Sequence, residues 1–199
     1  MMIIPKPSAK DGNRSWKVTT DPIVEPVTID EMKIYGRIDG DAEDDYLTAL
    51  IKSVRAATEK YLGRALLSQS ITLSMDYWPS GMIELPRPPL ISVTSVKTLD
   101  EDDVATTYDS SNYFADVVAE PGRLVIKQSG TYPTNTARIY GGYQIIFKAG
   151  YGTLATDVPG GIKDGIMYWV LWCYENRVPV VKPPALTMSF FNPYRIMRI

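Results

Sequence analysis

Histidine is absent from the 199-residue chain, and cysteine occurs once, as Cys173. Without imidazole there is no Ser–His or Cys–His catalytic pair and no histidine metal site. One thiol permits neither an intrachain disulfide nor a thiolate zinc cluster. No apolar run approaches the roughly 18 to 20 residues of a membrane-spanning helix. The opening Met1-Met2-Ile3-Ile4-Pro5-Lys6-Pro7 is too short and too broken by proline for a signal peptide. These features predict a protein that stays inside the cell or leaves it by a route other than secretion. Internal repeats and low-complexity segments are also lacking. Apolar residues make up 45% and charged residues 22%, the balance of one large or two small globular domains and too apolar for a disordered chain.

Charge is small in total, −2, but unevenly spread. Residues 1–20 carry Lys6, Lys10, Arg14 and Lys17 against Asp11 alone, and residues 178–199 carry Lys182, Arg195 and Arg198 with no acid. The segment between is therefore markedly acidic, unlike the basic stripe of a nucleic-acid-binding surface. The basic ends read as arms for another partner.

Residues 1–27, with Pro5, Pro7, Pro22 and Pro26, read as an extended N-terminal arm because proline interrupts helix. Thr28 and Glu31 have the spacing of a capping box, and a short helix follows to about Tyr35, stopping at Gly36. A second helix follows the acidic run Asp39–Asp45, with Asp41 or a neighbour as its cap. Its stripe is Leu47, Leu50, Ile51, Val54, Tyr61 and Leu62, and Gly63 ends it. From Gln69 to Gly152 the period becomes two. Ser70–Tyr77 and Ser92–Leu99 alternate cleanly, with further strands expected at 82–85, 113–118, 123–127 and 143–149. Helix returns after Pro159, where Ile162, Ile166, Trp169, Val170 and Cys173 share one face. The other faces of this helix are apolar too, which predicts burial on several sides.

Together the pattern predicts an α+β fold. N-terminal helices (28–63) and a long C-terminal helix (158–177) pack together, a small antiparallel β-rich insertion (69–152) lies between them, and both termini (1–27 and 178–199) are extended arms or tails.

Candidate chemistry is thin. A calcium loop counted from Asp39 has Asp44 where glycine belongs and Leu50 where glutamate belongs, so the acids read as a helix-capping cluster and no metal site is assigned. Asp100–Asp103 reads as a solvated hairpin turn. Gly141-Gly142 and Gly150-Tyr151-Gly152 lack the spacing of a phosphate loop. Cys173, on an apolar face, reads as a core thiol. No catalytic residue or cofactor is assigned. Glu175, Asn176 and Arg177 either hold a neighbouring subunit or simply close the helix, with Arg177 complementing its dipole. Phe190, Phe191 and Tyr194 either fold back on their own domain or reach a partner, and the preceding prolines favour the partner.

The order of these motifs resembles a known family. Val24-Glu25-Pro26-Val27-Thr28 with the helix 29–35, and Tyr61-Leu62-Gly63-Arg64-Ala65-Leu66, are similar to the opening of the head–tail connector (adaptor) proteins of long-tailed bacteriophages and related gene transfer particles. Leu85-Pro86-Arg87-Pro88-Pro89-Leu90, Phe147-Lys148-Ala149-Gly150-Tyr151-Gly152 and Tyr174-Glu175-Asn176-Arg177 follow in order. The resemblance spans about residues 17–177, leaving the first residues and the tail after Arg177 outside it.

It implies a connector domain at 28–177 in a non-enzymatic virion protein of the neck, made in the host cytoplasm. Its implied partners are itself, in a ring commonly of twelve, the portal protein, and stopper or tail proteins. Double-stranded DNA would pass through the channel without specific binding, and no membrane is involved. A stopper or tail-completion protein is the alternative position. A carboxylate-and-metal enzyme, such as a nuclease or wall-degrading hydrolase, would instead show a divalent-ion-dependent activity lost on changing acids among Asp39–Asp45. From chemistry alone, Phe190, Phe191, Tyr194, Arg195, Ile196 and Met197 are expected to meet the portal or a neighbour. Trp172, Glu175 and Arg177 are expected at the ring interface.

Overall fold

Residues 14–133 and 137–196 are described by a computed structural model. The chain divides into a strand unit, Met1–Asp21 with Gln69–Ala149, and a helical unit, Pro22–Ser68 with Gly150–Ile199. The α+β expectation holds.

The helical unit contains α1 (Ile29–Gly36), α2 (Asp44–Leu62), α3 (Gly160–Asn176) and α4 (Ala185–Phe191). Thr28 and Glu31 form the expected capping box. The Thr28 hydroxyl accepts the Glu31 amide at 3.1 Å, and the Thr28 amide donates to Glu31 Oε2 at 2.8 Å. Glu31 Oε1 also pairs with Lys163 of α3 at 2.9 Å, so one carboxylate both caps α1 and ties it to its neighbour. The cap position expected at Asp41 or a neighbour falls on Glu43, whose side chain makes no capping bond, while Asp41 and Asp44 both bind Lys33 at 2.6 Å. Gly63 ends α2 in the left-handed conformation, φ 71°, as expected. After α1 that conformation falls on Arg37, φ 52°, one residue beyond the expected Gly36.

α2 packs on α3. Their core joins Leu47, Leu50, Ile51, Val54 and Leu62 to Ile162, Ile166, Trp169, Val170 and Cys173, with Val27 and Met32. The stripes expected on both helices are thus the buried ones. The remaining faces of α3 are only partly covered, and Trp172 is 37% exposed.

The strand unit holds eight antiparallel strands among the described residues: β1 (Arg14–Thr20), β2 (Gln69–Met75), β3 (Ile83–Glu84), β4 (Leu90–Leu99), β5 (Ala105–Tyr108), β6 (Tyr113–Asp116), β7 (Arg123–Ile126) and β8 (Tyr143–Ala149). One sheet runs β1-β2-β8-β4-β5 and the other β3-β7-β6. Trp78, Tyr108, Tyr113 and Tyr143 form an aromatic seam with ring centroids about 6 Å apart along it. Asp100 closes the β4–β5 hairpin by accepting the amides of Asp102 and Val104, the turn expected of the acidic run.

Both expected arms need correction. Residues 14–20 are an edge strand paired with β2; the prolines at 5, 7, 22 and 26 bracket this stretch without entering it, so nothing blocks pairing. The C-terminal segment is helical over Ala185–Phe191, with Phe191 and Thr187 buried. Residues 150–152 belong to the helical unit rather than to the insertion.

Candidate functional site

Two surfaces of the helical unit gather the residues expected to make contacts. The first lies where the end of α3 meets the start of α2. Arg177 follows α3 with φ 51°, in the left-handed region, which turns its side chain back along the helix end. Its guanidinium lies 5.2 Å from the Tyr46 ring centroid and 5.0 Å from that of Tyr174. Arg177 Nη2 donates to Glu43 Oε1 at 2.6 Å, and the Tyr174 hydroxyl donates to the other oxygen of the same carboxylate. These bonds hold the Glu43 carboxyl below the usual carboxylate range, with Tyr174 first and Arg177 second. Ile38, Asp39, Gly40, Ala42 and Leu47 join Glu43 and Tyr174 around a recess beside this cluster.

Arg177 is thus engaged with Glu43, Tyr46 and Tyr174 of its own chain. Of the three residues expected at a ring interface, Trp172 and Glu175 stay exposed while Arg177 is engaged, though still half open to solvent. Sequence reasoning missed Glu43 and Tyr46 as its partners. Their i, i+3 spacing on one side of a helix start was the available signal, but nothing linear joins them to position 177.

The second surface is the tail. Phe191 is fully buried, with ring centroids 6.0 Å from Tyr61 and 6.4 Å from Trp169. It packs against Gly165 of α3, where an added Cβ would fall 2.4 Å from its ring. Tyr61 donates its hydroxyl to Asn192 Oδ1 at 3.1 Å, Arg195 lies 5.0 Å from the Tyr61 ring centroid, and the Ile196 amide donates to the Leu62 carbonyl at 3.1 Å. Arg64 Nε donates to the Tyr194 carbonyl. The tail thus closes over its own α2–α3 pair. Phe190 and Tyr194 are half-buried in the same packing, and Ile196 is partly covered. That corrects the portal-contact expectation for Phe191 outright, because a side chain enclosed in its own core is not free for a partner. Leu186, at 51% exposure, and Arg195 face outward. Met197 lies outside the described residues.

Elsewhere in this unit, Arg55 is buried between Glu25 at 2.9 Å and Glu59 at 3.2 Å. Glu59 also accepts the Leu66 amide at 2.9 Å, fastening the chain after α2. Burial raises the Glu25 carboxyl despite Arg55 beside it. Cys173 is buried and its thiol is pushed up by that burial, which keeps it protonated and inert. Among the described residues no three acidic, cysteine or histidine side chains converge as metal ligands, and no helix is long and apolar enough to cross a membrane.

Residues 25–177 match the family model described as head completion protein (HCP). The chain is similar to a solved chain from the neck of an empty gene transfer agent (GTA) particle computed with C6 symmetry, at TM-score 0.77 and 20% identity over 93% of this chain and 97% of that one. A chain from the virion of a native gene transfer agent particle gives TM-score 0.77 and 20% identity over 92% and 96%. One from the neck of a native GTA particle computed with C12 symmetry gives 0.63 and 24% over 88% and 96%. No curated protein matches the chain.

Proposed function

The chain belongs to the head completion protein family, and on that premise we propose that it is a head–tail connector of the neck: a ring of about twelve copies that sits beneath the portal, extends the DNA channel and seats a stopper or tail protein. Head completion is a structural task, and the chain is not an enzyme. The family match across 25–177 carries the reading. Its fold, shared with chains of necks computed with C6 and C12 symmetry, supports a closed ring whose copy number suits both.

A ring needs two different faces on each copy, since a head-to-tail contact that closes generates a cycle. The exposed end of α3, with Trp172 and Glu175, offers one such face. A half-exposed tryptophan beside charged groups is a frequent interface anchor. The outward side of the tail, Leu186 with Arg195, offers the portal contact.

Light scattering behind size exclusion tests this directly. The protein alone is expected at its monomer mass of 22.2 kDa, and mixing with portal rings is expected to yield a stoichiometric complex. Failure to join portals in any form would overturn the adaptor position and move the protein to the stopper position one ring further down.

A further inference from the structure

The five-stranded sheet separates the strand unit's charge in a way composition conceals. Its register places Ser15, Ser74, Gln144, Lys97 and Thr107 in one row across the sheet; Lys17, Thr72, Ile146 and Ser95 in the next; and Thr20, Ser70, Lys148 and Ser92 in a third. Side chains in register share a face, so these rows form one surface. The opposite face carries the buried Ile71, Leu73, Val96, Ile145 and Phe147. The outer rows hold three lysines, hydroxyls and one amide, with Ile146 alone apolar and no carboxylate; Thr72 is the one buried member. The unit's acids lie instead in hairpins, loops and the smaller sheet, as with Asp76, Glu84, Asp100–Asp103, Asp109, Asp116 and Glu120. Lys17 and Lys148 are exposed and Lys97 is half-exposed, and among the described residues none of the three is in an ion pair.

We infer that this sheet face meets the phosphate backbone of double-stranded DNA, weakly and without regard to sequence. Lysines without competing carboxylates attract phosphates and release their counterions. Serine and threonine hydroxyls donate to phosphate oxygens, the contacts that position a duplex without reading it. The three rows contain no arginine, so the usual bidentate grip on guanine is missing. They contain no aromatic ring, so unstacked bases of a single strand have no platform. Strand spacing of about 4.8 Å and two-residue steps of about 6.8 Å set the lysines on the order of 12 to 16 Å apart. That spacing suits separate phosphates on a duplex surface rather than one pocketed anion. A carboxylate-bearing protein partner would satisfy the lysines but leave the exposed hydroxyls of Ser15, Thr20, Ser92 and Thr107 unused. Under the neck reading, each copy would then offer DNA a low-friction contact. The biological meaning rests on that reading, whereas the binding does not.

The test is an NMR titration of the 15N-labelled full chain with a 20-base-pair duplex, repeated with single-stranded DNA and with poly-glutamate. Duplex shifts should cluster on the three rows. Affinity should fall roughly a hundred-fold between about 30 and about 150 mM salt, the slope of about three neutralised phosphates. The triple variant Lys17→Gln, Lys97→Gln, Lys148→Gln should retain its melting temperature and lose at least ten-fold in affinity. Lys182→Gln, at an exposed lysine outside the sheet, should leave duplex affinity unchanged. Shifts confined to the basic tail, no duplex binding, or preference for poly-glutamate would overturn the inference, the last in favour of an acidic protein partner. Portal assembly is scored separately. A protein that joins portals but ignores DNA loses this surface and keeps its neck role, and the converse result does the opposite.

Discussion

Phe191 and Gly165 are a matched pair in which one residue's size requires the other's absence of a side chain. Phe191→Ala should cost about 3–5 kcal/mol through the lost ring and the cavity it leaves, read as a lowered urea midpoint. Gly165→Ala should cost about 1–3 kcal/mol from the opposite cause, overpacking, because its Cβ would press on the same ring. Leu186→Ala, at an exposed position of the same tail, should stay within about 0.5 kcal/mol. Glu43 supplies a pH prediction. Its folded carboxyl is held below the ordinary value by Tyr174 and then Arg177, so the unfolded chain binds its proton more tightly. The contribution is complete above the ordinary glutamate value and is lost as pH falls through the folded one. Urea midpoints measured from pH 6 down to pH 3 should therefore decline more steeply for the natural protein than for Glu43→Gln.

The helices were the most legible elements, because an amphipathic stripe states both the element and its buried face. Leu47, Leu50, Ile51 and Val54, and then Ile162, Ile166, Trp169, Val170 and Cys173, could be read as core before any partner was known. The capping box at Thr28 and Glu31 was equally plain, since both halves of its chemistry lie within one turn. The termini depart from the arms their sequence suggests, for a common reason. Proline density and terminal position suggested arms, whereas β1 needs only seven residues free of proline and an open edge on β2. α4, likewise, begins directly after Pro184, where a missing amide costs a helix nothing. Deleting residues 185–199 is accordingly expected to strip a core residue from the helical unit. The truncated protein should melt several degrees lower and bind an apolar dye, measured by thermal scanning with and without the dye. A truncation with unchanged melting would mean that the tail's packing contributes little in solution.

At the scale of the whole molecule, the exposed end of α3 is the place where a neighbouring copy is expected. Trp172→Ala should leave the monomer within about 1 kcal/mol of its stability, as for a surface position away from the core. It should also weaken portal-templated ring formation, read as a shift from complex to free monomer in light scattering. Arg177→Ala differs from it, because that change also opens the clasp to Glu43, Tyr46 and Tyr174. Loss of assembly in Trp172→Ala with normal melting would be an interface effect. Normal assembly would take this surface out of the ring contact.

Local sequence determined what local physics controls: the absence of histidine chemistry, the helices and their buried stripes, most of the strands by their period of two, and a motif order that points to a connector. Tertiary structure decided everything that depends on distant residues meeting. It drew Phe191 into the core through a gap at Gly165, bent Arg177 onto a carboxylate 134 positions away, and enlisted residues 14–20 as a strand. It also brought Lys17, Lys97 and Lys148, scattered along a chain of net charge −2, to one face cleared of acids. Strand pairing fixes which side chains share a surface through register, and register between strands far apart in the chain is set only when the sheet assembles.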